Sequence, residues 1–240
     1  MTRNSERAPD ALRPITLTPM VNKWAAGSCL VEWGDTKVMC TACVEDKVPT
    51  WVKGTGRGWV TAEYGMLPHS TEIRMDREAK KGQQGRTQEI QRLIARSLRG
   101  CVDLRALDGI TIKIDCDVIQ ADGGTRTASV TGGFVALYLA LKKIARRKKW
   151  TYLPARDYIA AVSCGIVNGE LMLDLDYQED SHAGTDANFV MNDKGGIIEI
   201  QGTAERGAFS PEEYAGLLAL AQKGIAEIIQ KQKQAIEAVD

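Results

Sequence analysis

The clearest structural pattern in the chain lies in residues 109–148, GITIKIDCDVIQADGGTRTASVTGGFVALYLALKKIARRK. Apolar and polar residues alternate over 109–119, which predicts a strand. The paired glycines of Asp122-Gly-Gly-Thr125 predict a turn after it. Within residues 126–148 the first part is mostly small and apolar and the last part is mostly basic. This pattern predicts a helix whose cationic end lies in solvent and suits the helix dipole.

Patterns over the rest of the chain predict an α+β fold. The pairs Gly34-Asp35 and Asn168-Gly169 indicate hairpin turns between strands. No proline- or serine-rich linker divides the sequence, so we expect one α+β domain over residues 1–240, with mixed β-sheets covered by three long helices. The other predicted strands are 15–21, 28–33, 37–44, 59–64, 158–167, 171–177, 188–192 and 197–201, and the other predicted helices are 86–101 and 210–238.

Composition excludes several classes of protein. The chain has 240 residues, of which 44% are hydrophobic and 26% charged, so it can bury a large core and is not predicted to be disordered. No apolar stretch reaches the roughly 20 residues of a membrane span, and the N-terminus has no signal-peptide core, so we expect a cytoplasmic protein. The six cysteines are too few for a disulfide scaffold and are expected to be reduced and mostly buried. Cys40 and Cys43 fall on opposite faces of a predicted strand, which favours buried thiols over a metal site.

The net charge of zero hides a strong asymmetry. Residues 50–100 carry ten Lys or Arg against five Asp or Glu, whereas residues 151–205 carry two against ten. Such a chain can bind a polyanion at one place and a metal cation at another, or its two segments can dock on each other. Composition leaves both interpretations open.

The segment 122–129, DGGTRTAS, is a candidate phosphate site. Gly123 and Gly124 permit close backbone approach just before a helix N-terminus, where free N–H groups and the helix dipole favour an anion. An ordinary capping turn would not need Arg126 in the first helical turn. The pattern therefore predicts phosphate binding.

The segment 174–186 is the acidic counterpart, with five carboxylates in thirteen residues. Asp174 and Asp176 are expected to share one face of a strand, while Asp180 and Asp186 flank a short turn and can converge. Convergent carboxylates repel unless a cation bridges them, and Mg²⁺ with substrate phosphate is the natural partner. A solvated acidic loop is the equal alternative.

Two further features are less specific. Residues 65–85 lack periodicity and carry many charges, which is typical of a functional or disordered loop. His69 and His182 lie in polar sequence without a nucleophile motif, so both are expected at the surface.

Seven sequence blocks lie in order along nearly the whole chain. They are GDT at 34–36, GWVTAEYGMLP at 58–68, RTQEIQRLI at 86–94, QADGGTRTAS at 120–129, AVSCGIVNGE at 161–170, EDS at 179–181 with Asp186, and QGTAE at 201–205. Together these blocks resemble the bacterial ribonuclease PH family. The resemblance implies the ribosomal protein S5 domain 2-like fold and a homohexameric ring, a trimer of dimers. It also implies a phosphorolytic 3′→5′ exoribonuclease that uses inorganic phosphate to mature tRNA 3′ ends beyond CCA, with a further role in rRNA processing or decay.

The resemblance also implies roles for single residues. Asp180 and Asp186 correspond to the family's catalytic and Mg²⁺-associated aspartates, although their separate roles stay open. His69 stands where the family usually has a third RNA-contacting arginine, and Glu6-Arg7 stands where it usually has Gly-Arg. The implied phosphate-binding residues are Arg86, Gly124, Thr125 and Arg126, and the implied RNA-binding residues are Arg74, Arg77 and His69.

Two other functions remain at this point. A non-catalytic RNA-binding ring subunit of an exosome-like assembly would be expected to lose the phosphate arginines or the aspartates, and this chain has both. A metal-dependent hydrolytic nuclease would share the carboxylates but would have no use for a phosphate site.

Overall fold

A computed structural model describes residue 3 and residues 6–239 of the chain, and its first half is built on a five-stranded sheet. The strand order is β1-β2-β3-β5-β4, and every pair is antiparallel except β4 and β5. The predicted hairpin at Gly34-Asp35 joins β2 to β3. The strands are β1 (Ile15–Pro19), β2 (Gly27–Trp33), β3 (Thr36–Glu45), β4 (Trp59–Met66) and β5 (Thr111–Gln120).

The second half contains a four-stranded antiparallel sheet in the order β7-β6-β8-β9. Every residue of its inner strand β6 is buried, because helices cover it as well as neighbouring strands. The strands are β6 (Ile159–Val167), β7 (Glu170–Leu173), β8 (Thr185–Asn192) and β9 (Ile197–Ala204).

Three long helices cover the sheets, as the sequence predicts. The helix α3 (Thr125–Lys148) packs on β2 and β3 of the first sheet and on β6 of the second. Its length and apolar composition would allow it to cross a membrane, but it is mostly buried inside the fold, as the core helix of a soluble protein is. The other helices are α1 (Glu78–Lys81), α2 (Gly85–Gly100), α4 (Tyr177–His182) and α5 (Pro211–Glu237).

One large hydrophobic cluster joins the two sheets through α3. Val31 and Ile114 from the first sheet, Phe134 from α3 and Phe189 from the second sheet all belong to it. A Cβ atom on Gly132 would lie 2.3 Å from Val31 Cγ2, so the helix needs a glycine there to approach the sheet this closely. The position of the α3 N-terminus is therefore determined by core packing on both sides.

The predicted strand over 171–177 is wrong in its second half. β7 ends at Leu173, Asp174 has a left-handed φ of +56°, and Asp176 begins α4 instead of continuing the strand. The Asp176 side chain accepts from the Glu179 N–H, and the Glu179 carboxylate accepts from the Asp176 N–H, which forms a capping box. Asp174 and Asp176 therefore do not share a strand face.

The cysteines follow the predicted pattern with one exception. Cys40 is buried in β3, while Cys43 points to the opposite face and is exposed. All six thiols are free, and burial raises the pKa of the Cys29 thiol to about 12. A buried thiol that resists ionisation suits a structural role.

Candidate active site

The Gly123-Gly124 turn is the base of the site. Both glycines have positive φ angles, +74° and +67°, and Gly124 is the N-cap of α3 without a capping side chain. A Cβ atom on Gly123 would lie 2.7 Å from the Leu175 carbonyl oxygen, so no other residue fits between the turn and the start of α4. The first N–H groups of α3 have no acceptor within the helix, which makes this end suitable for an anion.

Hydrogen bonds from the first sheet hold the turn in place. The Thr36 hydroxyl donates to the Gly123 carbonyl oxygen (2.7 Å) and accepts from the Asp122 N–H (2.9 Å). The hydroxyls of Tyr64 and Thr125 share a hydrogen bond of 2.9 Å, and both residues are buried. Burial raises the pKa of the Tyr64 phenol, so the tyrosine stays neutral beside the turn.

Arg86 and Arg126 supply positive charge to the site from two different helices. Arg86 lies in the first turn of α2 and is exposed; its Nη1 donates to Met66 Sδ at 3.8 Å. No carboxylate in the described part of the chain lies within ion-pair distance of it. Arg126, in the first turn of α3, is largely covered, and its Nη1 donates to Gln201 Oε1 at 2.9 Å. Arg86 is thus available to a further anion.

Asp180 and Asp186 converge as predicted, from α4 and β8 respectively. Desolvation raises the pKa of Asp180, although Asp180 remains accessible to solvent, and Arg126 opposes that shift. Desolvation and the neighbouring Asp180 carboxylate raise the pKa of Asp186. Within residues 6–239 neither carboxylate forms an ion pair, so both charges are left to act on a bound group.

The three other carboxylates of the acidic segment do not join this pair. Asp174 is 1% exposed and accepts from Arg13 Nη2 (2.8 Å) and Trp33 Nε1 (2.9 Å). Glu179 accepts from Arg3 Nε (2.6 Å), while Asp176 caps α4. Arginines and the N-terminus of α4 already use these three carboxylates, so the predicted cation site is left to Asp180 and Asp186.

An N-terminal brace, formed by Arg3, Arg7 and Arg13 with Asp174 and Glu179, thus lies beneath the site. Arg13 Nη1 also donates to the Asp122 carbonyl oxygen, which links the brace to the phosphate turn. Sequence reasoning missed Arg3 and Arg13, because nothing in the polar N-terminus indicates a partner as far away in the chain as Asp174 is from Arg13, 161 residues.

The Glu6-Arg7 pair keeps the local geometry of a glycine turn. Glu6 has a φ of +55°, in the region that favours glycine, and its N–H donates to the Arg3 carbonyl oxygen at 2.8 Å. Arg7 reaches Asp174 and Glu179 at 3.4 Å each. Glu6 therefore adopts a backbone conformation that is unfavourable for a residue with a side chain, and Arg7 contributes its positive charge to the brace.

The predicted RNA-binding residues lie apart from the brace, in a basic loop that we define as residues 67–84. His69, Arg74 and Arg77 are exposed there, and the Arg74 guanidinium lies 3.7 Å from Asp76. The irregular segment predicted over 65–85 is confirmed except for the last two residues of β4, the single turn of α1 and Gly85, the first residue of α2. His182 is exposed, as expected.

Family models and curated relatives match nearly the whole chain. Residues 11–143 match domain 1 of the 3′ exoribonuclease family, and residues 157–224 match domain 2. The chain is 57% identical over 238 residues to Ribonuclease PH of Rhodospirillum rubrum, with 99% of both chains covered. It is 58% identical over 236 residues to Ribonuclease PH of Brucella ovis, with 98% of this chain and 99% of the relative covered.

Solved structures share the fold at much lower identity. Rice (Oryza sativa) Rrp46 superposes with a TM-score of 0.80 at 20% identity, covering 98% of this chain and all of the other. The Archaeoglobus fulgidus exosome with RNA bound to the active site gives a TM-score of 0.79 at 22% identity, covering 95% and 92%. These likenesses confirm the S5 domain 2-like fold.

Proposed function

The chain belongs to the 3′ exoribonuclease family, and from this membership and the geometry of its site we propose how it shortens RNA. It is a phosphorolytic 3′→5′ exoribonuclease and a nucleotidyltransferase. The observation that carries the proposed mechanism is the Gly123-Gly124 turn at the N-terminus of α3, whose first turn contains Arg126. Arg126 and Arg86 are both close enough to Asp180 and Asp186 to oppose the rise in the pKa of these carboxylates.

Inorganic phosphate is the nucleophile. Backbone N–H groups at Gly124, Thr125 and Arg126 receive it, and the guanidinium groups of Arg86 and Arg126 bind its oxygens. The RNA 3′ end is itself an anion, so the two reactants repel until these positive groups reduce the charge between them. Phosphoryl transfer depends mainly on such positioning and charge stabilisation, which this arrangement provides.

Asp180 and Asp186 act on the other side of the reacting phosphate. The residues present fit a divalent cation: burial and mutual repulsion raise the pKa of Asp186, and a cation would relieve both effects. Mg²⁺ would be held by the two carboxylates together with oxygens of the substrate phosphate, a common arrangement for this ion. When bound, Mg²⁺ stabilises negative charge in the transition state. A proton transfer from one aspartic acid to the leaving 3′-oxygen is the alternative role of the pair.

The reaction releases a nucleoside diphosphate and an RNA shorter by one nucleotide. A phosphodiester bond breaks and a phosphoanhydride forms at similar energy, so the reaction is reversible and nucleoside diphosphates extend the 3′ end. The proposed substrates are tRNA precursors, trimmed beyond CCA, and other RNA 3′ ends. We place the enzyme in the cytoplasm as a homohexamer, a trimer of dimers, and the likeness to the Archaeoglobus fulgidus exosome supports a ring.

The decisive experiment is to digest a short 3′-extended RNA with and without inorganic phosphate and identify the released nucleotides. We expect diphosphates only when phosphate is present, and 3′ extension when excess diphosphate replaces it. Monophosphates without added phosphate would indicate hydrolysis, and no product at all would indicate a non-catalytic ring subunit.

Arg86→Ala should raise the phosphate KM and slow turnover while the protein remains folded. Arg105→Ala, which removes an arginine outside the site, is the matched control.

A further inference from the structure

Three side chains form a closed triangle beside the phosphate turn. Arg126 Nη1 donates to Gln201 Oε1 at 2.9 Å, and Gln201 Nε2 donates to Glu89 Oε1 at 2.7 Å. The third side joins Arg126 Nη1 to Glu89 Oε2 at 3.7 Å. The triangle connects α3, β9 and α2, which are far apart in sequence.

The chemistry of the triangle allows the Gln201 amide only one orientation. A guanidinium has donors only, and an ionised carboxylate has acceptors only. The amide oxygen must therefore face Arg126 and the amide nitrogen must face Glu89. Gln201 is half-buried, so reversing the amide would leave it with two repulsive contacts and little solvent to replace them.

The triangle also lies where it can set the geometry of the whole site. Glu89 follows Arg86 by one turn of α2, so the triangle links the helices that carry both phosphate arginines. Gln201 lies opposite Asn188 in the β8–β9 pair, and Asn188 Nδ2 donates to Asp186 Oδ1 at 3.4 Å. The triangle thus contacts elements on both the basic and the acidic sides.

We propose that Gln201 is a positioning residue, oriented by Glu89, that aims the Arg126 guanidinium at inorganic phosphate. This inference rests on the proposed phosphate role of Arg126. The neutral amide oxygen engages Nη1 of Arg126, which Glu89 also approaches at 3.7 Å, and leaves the other guanidinium nitrogens for the anion. A second carboxylate, at position 201, would add its negative charge to that of Glu89 and compete with phosphate for Arg126.

The test compares phosphate binding by Gln201→Leu, Gln201→Glu and wild type, using calorimetric titration of inorganic phosphate and the phosphate KM on a short RNA. We expect the phosphate Kd and KM to rise about tenfold for Gln201→Leu and further for Gln201→Glu. The KM for RNA and the thermal midpoint without phosphate should stay near wild type. Gln88→Leu, which removes an exposed glutamine amide from α2, is the matched control and should change nothing.

The same substitution in the Arg126→Ala background tests whether Gln201 acts through Arg126. We expect Gln201→Leu to have no further effect on phosphate Kd there, and Glu89→Gln alone to raise Kd by two- to threefold. Equal effects of Gln201→Leu in both backgrounds, or wild-type phosphate binding by Gln201→Leu, would overturn the inference. If Arg126→Ala itself bound phosphate like wild type, the proposed phosphate site would fail instead.

Discussion

The N-terminal brace and the basic loop both carry several charges, but they hold them in opposite environments. In the brace, Arg3, Arg13 and Asp174 are at most 7% exposed, and each charged group has several hydrogen-bond partners. In the basic loop, the Arg74 side chain is 56% exposed and its closest carboxylate lies at 3.7 Å. The buried charges of the brace hold the surrounding elements in position, whereas the exposed charges of the basic loop remain available to a partner.

This difference follows from the cost of removing charge from water. A buried ion is tolerated only when opposite charges and hydrogen bonds replace its hydration, so each member of the brace depends on the others. An exposed ion pair contributes between zero and about 1 kcal/mol and is screened by salt. The brace can therefore hold the phosphate turn against α4, while the basic loop can adapt to a polyanion.

The largest effect is expected when the brace loses its central carboxylate. Asp174→Ala removes the buried carboxylate that accepts from Arg13 Nη2 and Trp33 Nε1, which should lower the free energy of unfolding by about 3–5 kcal/mol. Urea unfolding followed by circular dichroism measures the change. Asp10→Ala breaks an exposed pair with Lys223 in the same N-terminal region and should have a far smaller effect. Equal stability of the two variants would show that the brace does not hold the fold.

The second effect concerns chemistry rather than stability. Asp186→Asn should lower the rate of phosphorolysis and of 3′ extension by about 10²–10³-fold, because the site loses charge that acts on the transition state. RNA affinity, measured by filter binding, should stay within twofold of wild type. Asp193→Asn, in the hairpin after β8, is the control. Near wild-type rates for Asp186→Asn would remove it from the mechanism.

The third effect separates the basic loop from the reacting centre. Arg74→Ala with Arg77→Ala should weaken tRNA binding and reduce the slope of log K against log salt by about two, since each arginine gives one phosphate contact. A trinucleotide is too short to reach the loop, so its turnover should hardly change. Equal losses on tRNA and trinucleotide would move both arginines into catalysis or assembly.

The smallest effect tests the strained residue at the start of the brace. Glu6→Gly should raise the free energy of unfolding by about 1 kcal/mol, because glycine adopts a φ of +55° without the clash that a Cβ atom causes. Thermal unfolding measures the gain, and phosphorolysis should be unchanged. A loss of stability would indicate that the Glu6 side chain makes a contribution larger than its backbone strain.

Local pattern was enough to predict most elements of the fold. Alternation located the strands, and the helix predicted over 210–238 agrees with α5, for which Ser210 is the N-cap. The single domain over residues 1–240 stays a prediction, as do the individual roles of the site residues. The prediction at 171–177 is wrong because apolar–polar alternation extends through Asp176, whereas the spacing of Asp176 and Glu179 is that of a capping box, which starts a helix.

The sequence predicted the chemical groups of the site: a glycine turn before a helix with Arg126 in its first turn, two aspartates in an acidic segment and, from the family resemblance alone, Arg86. Only the tertiary structure decided what orients them. Arg13 meets Asp174 across 161 positions, and Arg126 meets Gln201 across 75. Such contacts depend on how α3 packs between the two sheets. Periodicity is a property of neighbouring residues, so it cannot indicate which distant residue a side chain will contact.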